Sequence, residues 1–438
     1  MKLTPSSILP VAMLLAALGA PGHADTVGDA IDQQAKAVEA RMIAWRRDIH
    51  QHPELGNREF RTSGLVAEHL KKLGYEVREK VAHTGIVAVL KGGKPGPVIA
   101  FRADMDALPV TEEVDVPFAS KVKTTWDGRE TGVMHACGHD AHTAILMAAA
   151  EVFAKMRGEL PGTVKLIFQP AEERPPLGEE GGAALMIKEG ALDNPRPEAI
   201  FGLHVIAPAP AGTISYRAGA TMAGADTFRI TVTGRGTHGA MPWLGVDPIV
   251  LASQIVLALQ TIQSRQVDVT TAPSVLTIGS LHAGNRSNII SDKAEMEGTL
   301  RTFDREMRSF IKQRVTETAE LIARSGGGDA SVEWRSGGAT PLVNNAALTS
   351  RMVPTLVRMV GADRVVESRP LMPSEDFALF AQEIPAMYYF VGVSAPGGPT
   401  SLAAANHSPR FQIDESALLP ALRTTVYLAF DYAAAGGK

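Results

Sequence analysis

Apolar and polar positions alternate along this chain in two textures. In the first, short apolar runs at Val98 to Phe101, Val164 to Phe168, Ala199 to Leu203 and Met387 to Val393 each end in a polar loop, as buried strands of a mostly parallel sheet do. Between the first two runs, Ile145, Ala149, Val152 and Met156 recur at helical spacing and predict a helix over Ala141 to Met156, with Asp140 or Thr143 able to cap its start. Strands alternating with helices give an α/β fold.

The second texture begins near Thr221. Phe228 to Val232, Val275 to Leu281 and Ala294 to Leu300 alternate as strands facing one side, while Asp247 to Gln263 and Glu306 to Ala323 carry apolar helical stripes. The predicted unit, residues 221–328, is a small sheet covered on one face by two helices. Ser325-Gly326-Gly327-Gly328 closes it like a linker, and from Val332 to Trp334 the first texture resumes. The expected organisation is therefore a main domain in two pieces, 25–220 and 329–438, with an α+β insertion.

Length and charge narrow the function. A chain of 438 residues with 45% apolar and 21% charged side chains has material for two cores. A formal charge of −4 without a basic stripe argues against nucleic-acid or anionic-membrane partners and favours a small-molecule substrate. Lys2, the apolar run Ile8 to Ala20 and Gly22-His23-Ala24 resemble an export signal cleaved after Ala24, which predicts a secreted or periplasmic protein. The chain has one cysteine, Cys137, so no internal disulfide explains it.

Metal-type side chains stand at every strand exit. Arg102-Ala103-Asp104 closes the first run, Glu172-Glu173 follows the second, His204 the third and Asn406-His407 the fourth, while Cys137 and His139 precede the helix. Open α/β sheets gather ligands beyond the carboxyl ends of their strands. Cys137, His139, Glu173, His204 and His407 are one donor more than a tetrahedral zinc site uses, so two ions sharing a ligand fit better. Glu172, beside a ligand glutamate, is then free to act as general base. Zinc, manganese, cobalt and nickel all suit this donor set.

These segments, together with Arg47 to Glu54, Arg102 to Pro109 and Gln169 to Glu173, resemble the amidohydrolase branch of the aminoacylase and carboxypeptidase-G metallopeptidases along nearly the whole chain after the signal. The resemblance implies a binuclear site on those five ligands, Glu172 as general base, and an inserted lid domain that also mediates a homodimer. It implies hydrolysis of N-acyl amino acids, with dipeptidase or exocarboxypeptidase action on unblocked peptides as the alternative; a remote reading from another class is a non-catalytic periplasmic binding protein that keeps the fold without the chemistry. It further implies His238 as the group that polarises the scissile carbonyl, and Asn288 and Arg301 as the grip on the substrate carboxylate. Other branches of that family carry His-x-Asp where this chain has Arg102-Ala103-Asp104, which removes a ligand role at Arg102 and leaves Asp104 a supporting one. His135 and His142 are expected to support the ligands by hydrogen bonds, and His50 and His52 to close a helix before Pro53.

Overall fold

The structure, a computed structural model, describes residues 26–335, 339–395 and 403–437. The expected signal segment, 1–24, lies outside the described residues. In chain order the strands used below are β1 (Glu76–Val81), β2 (Gly85–Lys91), β3 (Lys94–Asp104), β4 (Lys123–Trp126), β5 (Arg129–Gly132), β6 (Pro161–Gln169), β7 (Ala199–Pro210), β8 (Ile214–Tyr216), β9 (Gly224–Thr233), β10 (Ser274–Ala283), β11 (Lys293–Thr302), β12 (Asp329–Trp334), β13 (Val365–Glu367) and β14 (Ala386–Ser394).

Eight strands form one mixed sheet in the order β1-β2-β6-β3-β7-β14-β8-β13. The four central strands, β6, β3, β7 and β14, run parallel, as the apolar runs predict. Alternate residues of β3 enter opposite cores. Ile99, Phe101 and Ala103 pack under the helices Thr26–Gln51, His139–Lys155 and Leu418–Ala434, while Ala100 faces the helices Gly182–Lys188 and Phe377–Glu383. Burial on both faces is why these strands read as apolar runs and not as alternation.

The second sheet is antiparallel, ordered β10-β11-β9-β12. Phe228, Ile230 and Val232 of β9 meet Leu251, Ile255, Ile311 and Val315 of the helices Pro248–Arg265 and Arg305–Ser325. Asp247 and Asp304 cap those helices, their side chains accepting from the N–H of Ile249 and Met307. The expected boundary at 328 falls inside this sheet. Strand β12 pairs with Phe228 to Thr233 and so belongs to the second unit, because Gly326 to Gly328 form a tight return and not a linker between units.

The helix after Cys137 starts at His139, and Gly138 is its N-terminal flanking residue with φ of 98°. A Cβ at Gly138 would stand 2.2 Å from Val205 Cγ2, so both conformation and contact require glycine there. Neither Asp140 nor Thr143 caps the helix: Asp140 pairs with Arg46 and His50, and the Thr143 hydroxyl donates to Asp104 O. No helix among the described residues is long and apolar enough to cross a membrane.

Candidate metal centre

The loops after β6 and β14, the start of the His139–Lys155 helix, and β7, within which His204 lies rather than at its exit, bring the five expected ligands together. Cys137 Sγ lies 3.3 Å from His204 Nε2 and 3.2 Å from His407 Nε2, and His407 Nε2 is 3.0 Å from Glu173 Oε1. Their donor atoms fall into overlapping sets, Cys137–His139–His204, Cys137–Glu173–His407 and His139–Glu172–Glu173, each spanning no more than 4.8 Å. Cys137 is common to the first two sets, and His139 and Glu173 to the third. The overlap makes these side chains one candidate centre for divalent cations.

Protonation logic tests the fit. The His204 Nδ1–H donates to Val205 O at 2.7 Å, which leaves Nε2 with its lone pair toward Cys137. His139 turns Nδ1 to Asp106 Oδ1 at 3.3 Å, and its buried Nε2 has no hydrogen-bond partner. His139 Nε2, the Glu172 and Glu173 carboxyls and the Cys137 thiol therefore face one another, an arrangement that suits a cation. The donor set fits divalent ions of the zinc type.

The expected ligands are held from behind. Val205 N–H donates to His142 Nε2 at 2.9 Å, so His142 Nδ1–H points to Asp104 Oδ1, at 2.6 Å. The Asn406 side-chain amide donates to Cys137 O and Val205 O, both at 3.0 Å, tying the His407 loop to two ligand segments. His407 itself has a φ of 72°, and its N–H donates to Ala136 O. Three successive N–H groups of the Glu172 loop are bound by buried acids: Ala171 N–H donates to Glu59, Glu172 and Glu173 N–H donate to Asp106. Ala171 adopts φ of 51°, which turns these N–H groups to one side in a concave nest.

Arg102 is buried and does not approach the ligands as a donor of electrons. Its guanidinium binds Asp104 at 2.6 Å, Glu375 at 2.9 Å, Asp376 at 3.0 Å and the Gln169 side chain at 2.8 Å. Tyr388 closes the group with a 2.6 Å hydrogen bond to Glu375. Glu172 sits beside this cluster, within reach of Glu375 and Asp376.

Electrostatics set the two adjacent glutamates apart. Burial, then the charges of Glu375, Glu173 and Asp376, push the Glu172 carboxyl well above its ordinary range. Burial acts the same way on Glu173, but the His407 hydrogen bond and the His139 charge outweigh it and leave Glu173 lowered. Burial and the neighbouring carboxylates raise the Cys137 thiol. Burial pulls His139 down, yet Asp104 and Asp106 overcome it and hold it at about 10, a measure of how negative the cavity is.

The remaining expected residues lie elsewhere or behave differently. His238 is exposed on a two-residue strand paired with Ile289–Ile290, and its Nδ1 accepts from Ala240 N–H. Gly239 N–H donates to Asn288 O, so His238 and Asn288 are neighbours. Arg301 lies on β11 opposite Ala225 and Val275, with a buried Nη1 that has no hydrogen-bond partner. No hydrogen bond among the described residues joins these three to the Cys137 cluster. His142 bonds Asp104 and the Val205 N–H behind the cluster, whereas neither ring nitrogen of buried His135 has a hydrogen-bond partner among the described residues. Burial lowers His135 to about 3; Asp140 opposes the shift, and the charges of His50, His139 and Arg46 add to it. His50 ends its helix and also bridges Asp140 and Glu112, at 2.8 and 3.2 Å.

Asp106, Glu59, Glu375 and Asp376 were not distinguishable as site residues in the sequence. Asp106 had the best signal, being one strand period beyond Asp104 at the same exit.

The model of peptidase family M20/M25/M40 matches residues 100–431. The chain belongs to that family. Among M20/M25/M40 relatives, thermostable carboxypeptidase 2 of Saccharolobus solfataricus is 40% identical over 89% of this chain and 94% of that protein. N-acetyl-L-cysteine deacetylase of Bacillus subtilis is 38% identical over 88% of this chain and 86% of its own length. The solved structure of the Bacillus subtilis YXEP protein, a dinuclear metal binding peptidase from the M20 family, is 35% identical, covers 90% of this chain and 98% of that one, and superposes with a TM-score of 0.74. The chain is accordingly an M20 hydrolase that cleaves amide bonds with the help of metal.

Proposed function

We propose that this chain hydrolyses the amide bond of N-acyl amino acids, using Cys137, His139, Glu173, His204 and His407 to hold two divalent ions and Glu172 as general base. The observation that carries the reading is the pair of adjacent glutamates: Glu173 stays ionised against His407, while Glu172 is buried, raised and unused by any structural hydrogen bond of its carboxylate among the described residues. Divalent ions held there supply Lewis acidity and make water more acidic.

Glu172 takes a proton from the attacking water and passes it to the leaving nitrogen. Arg102 binds Glu375 and Asp376 beside Glu172. His238 polarises the scissile carbonyl, and Asn288 with Arg301 receives the substrate carboxylate, for which a guanidinium fork is well shaped. The second unit serves as a lid and as the contact of a homodimer, and residues 1–24 direct export.

Similarity to a deacetylase of N-acetyl-L-cysteine supports acylated substrates; similarity to a carboxypeptidase supports unblocked peptides as the second reading. Hydrolysis of hippurate and N-acetyl amino acids against matched free-amino dipeptides, with and without a chelator, decides between them. Turnover of the acylated series alone, abolished by chelation, is expected. Preference for the free-amino series would favour the second reading.

A further inference from the structure

We infer that His50 is a positioning residue of the metal centre: buried between Asp140 and Glu112, it fixes the start of the His139 helix and, through the 112–120 loop, the segments that carry Cys137 and His407. This rests on the ligand set proposed above. A histidine that merely closed its helix would look like His52, which is exposed and bonds Asp48 O of its own helix at 2.8 Å. His50 does something different.

Its Nδ1 stands 2.8 Å from Asp140 Oδ2 and its Nε2 3.2 Å from Glu112 Oε1. A carboxylate only accepts, so an imidazole that bonds two of them carries a proton on each nitrogen and is a cation. Burial and the Arg46 charge oppose that state, but Asp140 and the two hydrogen bonds outweigh them and raise His50 above the ordinary imidazole range. Arg46 Nε lies 2.8 Å from the same Asp140 oxygen, and the other oxygen of Glu112 accepts the Ser120 N–H at 2.6 Å, which closes the 112–120 loop. Phe118 of that loop packs edge-on against the His50 ring, 5.7 Å between centroids, and under the Arg46 and Arg47 guanidinium groups at 5.0 and 5.2 Å.

Each end of the bridge reaches expected ligands through backbone. Asp140 directly follows His139 in the first turn of its helix, so the bridge pins that turn to the end of the helix Thr26–Gln51. Glu113 N–H donates to Pro409 O at 2.8 Å, two residues beyond His407. Upstream of the loop, Leu108 and Met134 exchange both backbone hydrogen bonds at 3.0 Å, three residues before Cys137, and the β4–β5 hairpin fills the chain between the loop and Met134. One imidazole thus holds together the supports of three of the five donors. Hydrogen-bonded groups behind metal ligands tune affinity by fixing ligand orientation.

The test titrates metal-free protein with Co²⁺ against a chromophoric chelator and records the visible absorption of the loaded protein. His50→Gln, which reaches one acid at most, is expected to lower Co²⁺ affinity about 10-fold and to shift the absorption bands. Glu112→Gln should do the same to a lesser degree, and the double variant should lose no more than His50→Gln, because both changes act on one bridge. Glu112→Gln carries the test if His50→Gln does not fold. Arg308→Met, which breaks the pair with buried Asp226 in the second unit, should lower the urea midpoint and leave affinity and spectrum as in the wild type. Wild-type affinity and spectrum in both His50→Gln and Glu112→Gln would overturn the inference, as would an equal loss of affinity in Arg308→Met. His139→Ala separates this result from the ligand set: loss of Co²⁺ there beside unaltered bridge variants leaves the ligands standing and the inference wrong, whereas wild-type affinity in His139→Ala sinks both.

Discussion

His139 Nδ1 stands 3.3 Å from Asp106 Oδ1, and the same carboxylate accepts the backbone N–H groups of Glu172 and Glu173 at 3.1 and 3.0 Å. One acid thus orients an imidazole and fixes the loop that carries Glu172 and Glu173. Groups of this kind contribute about 10- to 100-fold to metal affinity. Asp106→Ala should lose that much in a competition titration with a chromophoric chelator. An unchanged affinity would show that Asp106 is a bystander.

Glu172→Gln keeps the side-chain shape and removes the base. Turnover is expected to fall by about 10² to 10⁴, the usual contribution of a positioned acid–base group, with metal content and thermal midpoint held. Loss of metal in this variant would instead make Glu172 a ligand.

Arg102 is buried with Asp104, Glu375 and Asp376 around it. Removing one partner from such a cluster leaves uncompensated charge and costs about 3–5 kcal/mol. Arg102→Met should lose stability on that scale in chemical denaturation, and adding Glu375→Gln should recover part of it. Wild-type stability in Arg102→Met would refute the clamp.

Glu59 offers a pH signature. Burial and the Asp106 charge raise it from 4.5 to about 8, against the hydrogen bonds from Thr84 and Ala171. The folded state then binds more protons than the unfolded chain between those values, so this stability is present below about pH 4.5 and is lost as pH rises through about 8. The stability of wild type relative to Glu59→Gln should therefore decline by a few kcal/mol from pH 5 to pH 8.5, measured by urea midpoints. A difference that stays flat across that range would mean Glu59 titrates near its ordinary value.

The parallel strands and their ligand-bearing exits were legible because burial on both faces leaves uninterrupted apolar runs, and His or Cys beside them stands out. The acids behind the ligands were not. Asp106, Glu375 and Asp376 have the composition of any surface acid, and only the fold turns them inward against Arg102, His139 and the 172–173 backbone. His135 shows the reverse, a histidine beside the cysteine that supports nothing by hydrogen bonds. The β12 strand was assigned to the main domain because three glycines in a row look like a linker, whereas here they return the chain into the second sheet.

The central claim is that five side chains hold two ions for an amide hydrolysis driven from Glu172. Metal equivalents per chain, measured on the same samples as hippurate hydrolysis during stepwise chelation and reloading, test it most directly. Two equivalents are expected, with turnover lost on removal and restored on return. Full turnover after both ions are gone, or saturation at one, would contradict the account.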